Sequence, residues 1–108
     1  MKFTLKKQSG YSSQLFNQIF GNKTTAISLS TEADVRMKYA DGQRTDKIDS
    51  YRYTFVIKGQ NPFEVKFSES QGIAQFDEVE LINPEACEVR GNIYFRADSV
   101  TVLKKGGK

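Results

Sequence analysis

Tyr51-Arg52-Tyr53-Thr54-Phe55-Val56-Ile57-Lys58 is the stretch that decides how this chain folds. Large apolar and aromatic side chains recur at 51, 53, 55 and 57, with Arg52, Thr54, Val56 and Lys58 between them. A period of two is that of a strand with one face buried, and aromatic and β-branched residues suit the pleated backbone. Phe55 belongs to the core on this reading. Tyr51 and Tyr53 either fill the interior too or, with the register inverted, form an exposed aromatic platform. Gly59-Gln60-Asn61-Pro62 supplies a turn, after which Phe63, Val65 and Phe67 alternate with Glu64 and Lys66 in another strand.

Moving towards the N-terminus, Asp41-Gly42 marks a hairpin turn whose loop extends over residues 41 to 47. Before it, from Ala26 on, Ile27 and Leu29, then Val35, Met37 and Tyr39, form one long or broken strand with Arg36 and Lys38 on its other side. Leu15, Phe16, Ile19 and Phe20 fall on one face of a helix between Tyr11 and Gly21, the glycine being placed to end it. Phe3 and Leu5 alternate with polar residues in a short extended arm.

Towards the C-terminus, Ser68 to Gln75 is polar and has room for a helical turn. Val79, Leu81 and Ile82 open a strand that stops at Asn83-Pro84. Ile93, Phe95, Ala97, Val100 and Val102 mark the last one, and Lys104 to Lys108 makes a flexible basic tail. The order, three meandering strands, a connection and two more strands, predicts a mainly β protein. Its expected form is a five-stranded oligonucleotide-binding (OB) fold-like Greek-key barrel with a short N-terminal helix, and another small barrel or roll fits the same order. At 108 residues one domain covers 1–108, with an arm and helix over 1–24.

Composition narrows the chemistry. The chain has no His and one cysteine, Cys87, so an internal disulfide is excluded and a zinc site is not expected. No apolar run resembles a signal peptide or a membrane span, which makes the cytoplasm the expected compartment. Without His, no nucleophile has a recognisable base at a recognisable spacing, and no phosphate-cradling glycine loop or dinucleotide fingerprint is present. Asp77, Glu78, Glu80, Glu85 and Glu88 crowd one stretch, yet their strand and loop positions suit a solvated edge better than convergent magnesium ligands. The same carboxylates disfavour a Cys87 thiolate. A non-enzymatic protein without cofactor or metal is the expectation.

Residues 1 to 60 hold ten basic and five acidic residues, and residues 61 to 108 hold six and eight. The basic excess of the first part favours an anionic partner. If the odd positions of 51–58 face the core, the opposite face presents Arg52 and Lys58, the preceding strand adds Arg36 and Lys38, and the last strand adds Tyr94 and Arg96. The 41–47 loop contributes Arg44 and Lys47 as a flexible clamp. Cations that pair with phosphates, beside rings on which unpaired bases stack, are what a single strand requires. Solubility alone also explains a charged strand face.

Val-Glu-Leu-Ile-Asn-Pro-Glu-Ala at 79–86 and Ile-Tyr-Phe-Arg-Ala-Asp-Ser-Val at 93–100 resemble the C-terminal part of the helicase-processivity-factor (HelP/YdcP-like) group. Asp-Gly-Gln-Arg-Thr-Asp-Lys-Ile at 41–48, followed by Tyr53, resembles that group's middle region. The group belongs to conjugative elements and plasmids of Gram-positive bacteria. The resemblance implies single-stranded DNA binding during DNA replication or transfer, with a helicase or relaxase as protein partner. A rival reading is a protein-interaction module that docks a relaxase, helicase or secretion component through its acidic strand edge.

Overall fold

A computed structural model describes residues 10–106. The arm expected at Phe3 and Leu5 lies outside the described residues, as do Gly107 and Lys108. The chain is mainly β, with one short helix. In chain order the elements are α1 (Ser13–Phe20), β1 (Thr25–Ser28), β2 (Asp34–Ala40), β3 (Gln43–Val56), β4 (Phe63–Phe67), β5 (Glu78–Ile82), β6 (Glu85–Val89), β7 (Asn92–Arg96) and β8 (Ser99–Lys104).

Helix α1 begins where the Ser12 side chain accepts a hydrogen bond from the Leu15 amide and ends at Gly21, whose φ of 64° is left-handed. Both are standard ways of satisfying the backbone groups a helix leaves over. Phe16 and Phe20 are buried. The Phe20 ring lies 4.6 Å from Phe63 and 5.5 Å from Phe95, centroid to centroid, so the helix seals one end of the core with an aromatic cluster.

The decisive stretch behaves as its alternation requires. Tyr53, Phe55 and Ile57 are buried and Tyr51 is half-buried, so the rings face inward and the inverted register is excluded. Phe63, Val65 and Phe67 of β4 meet them from the neighbouring strand, Phe55 pairing with Phe63 and Tyr53 with Val65. The buried Tyr53 hydroxyl accepts from the Gln71 amide at 2.8 Å and donates to the Gln71 carbonyl at 3.1 Å. A buried phenol needs such partners. Gln71 Oε1 also accepts from the Val100 amide, tying β3 to β8. Residues 68–77, which had room for a helical turn, contain none; Tyr53 and Gln71 hold them as an irregular strap.

The sheet is an eight-stranded open path, β6-β7-β4-β3-β1-β5-β8, with β2 also paired to β3. That differs from the five-stranded, partly open barrel expected, with breaks at three places along the chain, two of them inside expected strands. In the first, β1 and β2 both pair with β3, and Ser30 Oγ takes the Thr54 amide where the ladder breaks. The second kink is at Asn83-Pro84, where Asn83 has a φ of 51°. The third lies opposite it at Ala97-Asp98, and the Asn83 side chain donates to Asp98 there. Register runs through both of these kinks without a slip: Ile82 faces Ser99 and Glu85 faces Arg96. The strand 85–89 was not legible in the sequence, because Glu85, Glu88 and a buried Ala86-Cys87 pair leave no alternation.

The end of the chain is anchored as far as it is described. Asp77, 1 % exposed, accepts from the Ala74 amide, the Gly106 amide and Lys105 Nζ. A side chain at Gly106 would overlap the Phe76 carbonyl. Of the flexible tail expected over 104–108, Lys104 ends β8, Lys105 and Gly106 are tied down by a buried carboxylate, and the rest lies outside the described residues.

Candidate nucleic-acid interface

Because Val65 and Phe55 point inward, Arg52 of β3, Lys66 of β4 and Arg96 of β7 point outward. Arg52 is the register partner of Lys66 in the antiparallel pair β3–β4, and Lys66 is the partner of Arg96 in the parallel pair β4–β7. Three cations from three consecutive strands thus form one row across the sheet. Like charges directly opposite each other destabilise a sheet. Acidic neighbours offset part of this: Arg52 pairs with Glu64 at 3.7 Å, and Arg96 Nε donates to Glu85 at 2.8 Å.

Tyr11 completes the row. Its ring lies 4.2 Å from the Arg96 guanidinium and 5.5 Å from Lys66 Nζ, within cation–π reach of both. It is held there because Ser12 exchanges two backbone hydrogen bonds with Ala86 of β6, and because Gly10, at a φ of 73°, packs so close to Cys87 that an added Cβ would lie 2.8 Å from Sγ. Sequence reasoning missed both Tyr11 and Lys66. The alternation of Phe63-Glu64-Val65-Lys66-Phe67 already placed Lys66 on an outer face, whereas nothing local marked Tyr11.

On β2 the register partner of Arg52 is Asp34, and there the row adjoins the hairpin of β2 and the first half of β3. Its turn consists of Asp41 and Gly42 alone, both with positive φ, between the paired residues Ala40 and Gln43. The expected 41–47 loop is instead paired ribbon, and Arg44 and Lys47 are strand residues, because the tight turn lets pairing start at Gln43. Both strands of this ribbon are exposed, including Val35 and Tyr39, the latter 71 % exposed. A shallow depression of about 630 Å³ runs beside Arg36, Lys38, Tyr39, Arg44 and Arg52. Arg36 is ion-paired with Asp34 at 3.0 Å. A second depression, about 390 Å³, runs from Arg52 and Lys66 to Tyr11 and Tyr94. Arg52 belongs to both.

Of the residues the sequence singled out, Arg36, Lys38, Arg44, Arg52, Tyr94 and Arg96 therefore lie along one track. Two do not. Lys58 turns to the opposite end of β3, beside Asn22, Lys23 and Thr25. Lys47 is exposed on the ribbon and lines neither depression.

The acidic stretch is dispersed by the fold. Asp77 is buried on Lys105, Glu80 accepts from Thr24 and Thr25, and Glu85 pairs with Arg96. Strand β5 lies between β1 and β8 and has no open edge. Both sides of β5 are thus hydrogen-bonded, whereas Glu85 and Glu88 lie on β6, which ends the sheet path and beyond β7 has the isolated Ser12–Ala86 bridge beside it. Among the described residues no group of three or more carboxylates and cysteine converges on a point, and no helix is long and apolar enough to cross a membrane.

Compared with known protein families, with curated proteins and with solved structures, the chain finds no match in any of the three.

Proposed function

We propose that this protein is a non-enzymatic accessory factor that binds single-stranded DNA during replication or transfer of a conjugative element or plasmid, in the manner of the helicase-processivity-factor group. The carrying observation is the row Arg52, Lys66 and Arg96 across β3, β4 and β7, bordered by Tyr11 and Tyr94, with Arg36, Arg44 and Tyr39 beside the depression on the adjoining ribbon. A polyanion relieves the repulsion within such a row, and exposed rings offer stacking worth about 1 to 3 kcal/mol per base. Only an unpaired strand has base faces to give. Bound in this way, the strand is kept from reannealing behind a helicase, and a relaxase or helicase works on the same DNA.

An OB-like topology is part of the proposal. With β1–β2, β5–β6 and β7–β8 each taken as one kinked strand, five strands remain. The parallel pair β4–β7 and the antiparallel pair β1–β5 then stand where such a barrel closes. Helix α1 takes the end of the core, and the track crosses the sheet face and the first hairpin, where these folds hold a strand.

The test is fluorescence anisotropy of labelled single-stranded oligonucleotides against duplex, across a range of salt. Neutralising three to six phosphates predicts a slope of log affinity against log salt between about −2 and −4. Single strands are expected to bind more tightly than duplex. Absence of binding at low salt would sink the proposal, and a preference for duplex would move the assignment to a ribbon that reads a groove.

A further inference from the structure

Among the described residues, Glu64 is the only acid lining the 390 Å³ depression between Tyr11 and Tyr94. It stands one residue from the floor formed by Phe63 and one register step from the cation row, directly opposite Thr54. Its side chain is 43 % exposed, and among the described residues its only ion pair is with Arg52 at 3.7 Å, beyond hydrogen-bonding distance. Most of its acceptor capacity is unused. A carboxylate amid cations weakens capture of a phosphate backbone, and besides offsetting the charge of Arg52 its free oxygen positions can accept from a ligand group that donates.

Unpaired bases present such groups on their Watson–Crick edges. Guanine has two adjacent donors, N1–H and N2–H, that match the two oxygens of a carboxylate as a parallel pair, with the O6 acceptor beside them. Cytosine and adenine offer one amino group. The single N3–H of thymine lies between two carbonyl oxygens that repel a carboxylate. A carboxylate with a guanidinium next to it is thus complementary to guanine in full and to thymine hardly at all.

Resting on the single-strand reading above, we propose that this depression accepts one guanine base. Tyr94 stacks on its face, Glu64 accepts N1–H and N2–H, and Arg52 donates to O6. Tyr94 is the stacking ring because it is 46 % exposed, whereas the Tyr11 ring already carries Arg96. The site makes the protein prefer strands that contain an unpaired guanine while the rest of the track binds any sequence.

The experiment compares three labelled oligonucleotides at one salt concentration: thymidine throughout, thymidine with one central guanosine, and the same with inosine, which lacks the N2 amino group. The guanosine strand is expected to bind about ten-fold more tightly than all-thymidine, within the range of one bidentate pair, and inosine to lose most of that gain. Glu64→Gln is expected to bring the guanosine and thymidine affinities together, whatever it does to either alone. Equal affinity of the three strands for the unaltered protein would overturn the guanine site and leave single-strand binding standing. Binding of none would overturn both. Inosine equal to guanosine would also overturn it, without depending on how the variant folds.

Discussion

Strand β3 has two halves with opposite surroundings. Residues 50 to 56 lie against the core, with Ser50, Tyr53 and Phe55 buried, whereas Gln43 to Asp49 have nothing behind them and are almost wholly exposed. One half is held by packing. The other is held by a tight turn and the β2 ladder, which shifts register between Arg36 and Met37 and between Met37 and Tyr39. A two-stranded ribbon is at best marginally stable by itself, so its order here derives from being continuous with the core-backed half. For a face that must hold an extended strand, the division is useful: a fixed row of cations on rigid sheet, and beside it an arm with cations that can adjust.

The sharpest way to break this comparison is to truncate one ring in the core-backed half and one on β2, the partner strand of the exposed half. Phe55→Ala should cost about 3 to 5 kcal/mol in urea unfolding, and Tyr39→Ala should stay within about 0.5 kcal/mol. Similar losses at the two positions would mean that the ribbon carries core packing after all.

The second comparison concerns binding. Arg52 borders both depressions and Arg44 only the one beside the ribbon. Arg52→Ala is therefore expected to weaken oligonucleotide affinity more than Arg44→Ala, each flattening the salt slope by about 0.7. Tyr94→Ala should lower affinity with no change in slope, since a ring carries no charge. A larger loss from Arg44 would place the strand on the ribbon instead of the sheet.

Stability against pH tests the strap at the end of the core-backed region. Hydrogen bonds from the Ala74 and Gly106 amides hold the Asp77 carboxyl below its ordinary value, with Lys105 adding to the effect and burial opposing it. A carboxylate with a depressed folded pKa stabilises fully above its unfolded value, about 3.9, and the contribution fades as pH falls through the lower folded value. Asp77→Asn should consequently lower the urea midpoint at pH 7, with the gap to the unaltered protein narrowing on acidification. A gap that stays constant with pH would show that the carboxylate charge is not what holds Lys105 and Gly106. The smallest effect is expected at Lys58→Ala, which faces away from the track and should leave affinity and salt slope unchanged.

Legibility in the sequence followed the same division. Around Tyr53, Phe55, Phe63 and Val65 the alternation is strong because one face is dry, and strands and turns were readable, while the facing of Tyr51 and Tyr53 was settled only by their burial. On the ribbon both faces are wet, so nothing in Asp41 to Lys47 separated paired strand from loop. The outward cations Arg52 and Arg96 followed from the alternation. Their alignment with Lys66 did not, since a parallel pair between residues thirty apart has no local signal.

The sequence by itself determined the mainly β character, a helix between Tyr11 and Gly21, the alternation of 51–58 with Phe55 in the core, and the lack of histidine for metal or acid–base work. Each of these depends on local spacing or composition. Tertiary structure alone decided that Tyr11 lies over Arg96, that Lys58 leaves the face, that the acidic stretch is divided between the inner strand β5 and the edge strand β6, and that Lys105 is tied to Asp77. The physical reason is that these depend on register between distant strands, which hydrogen bonding and core packing fix together and no short stretch of sequence encodes.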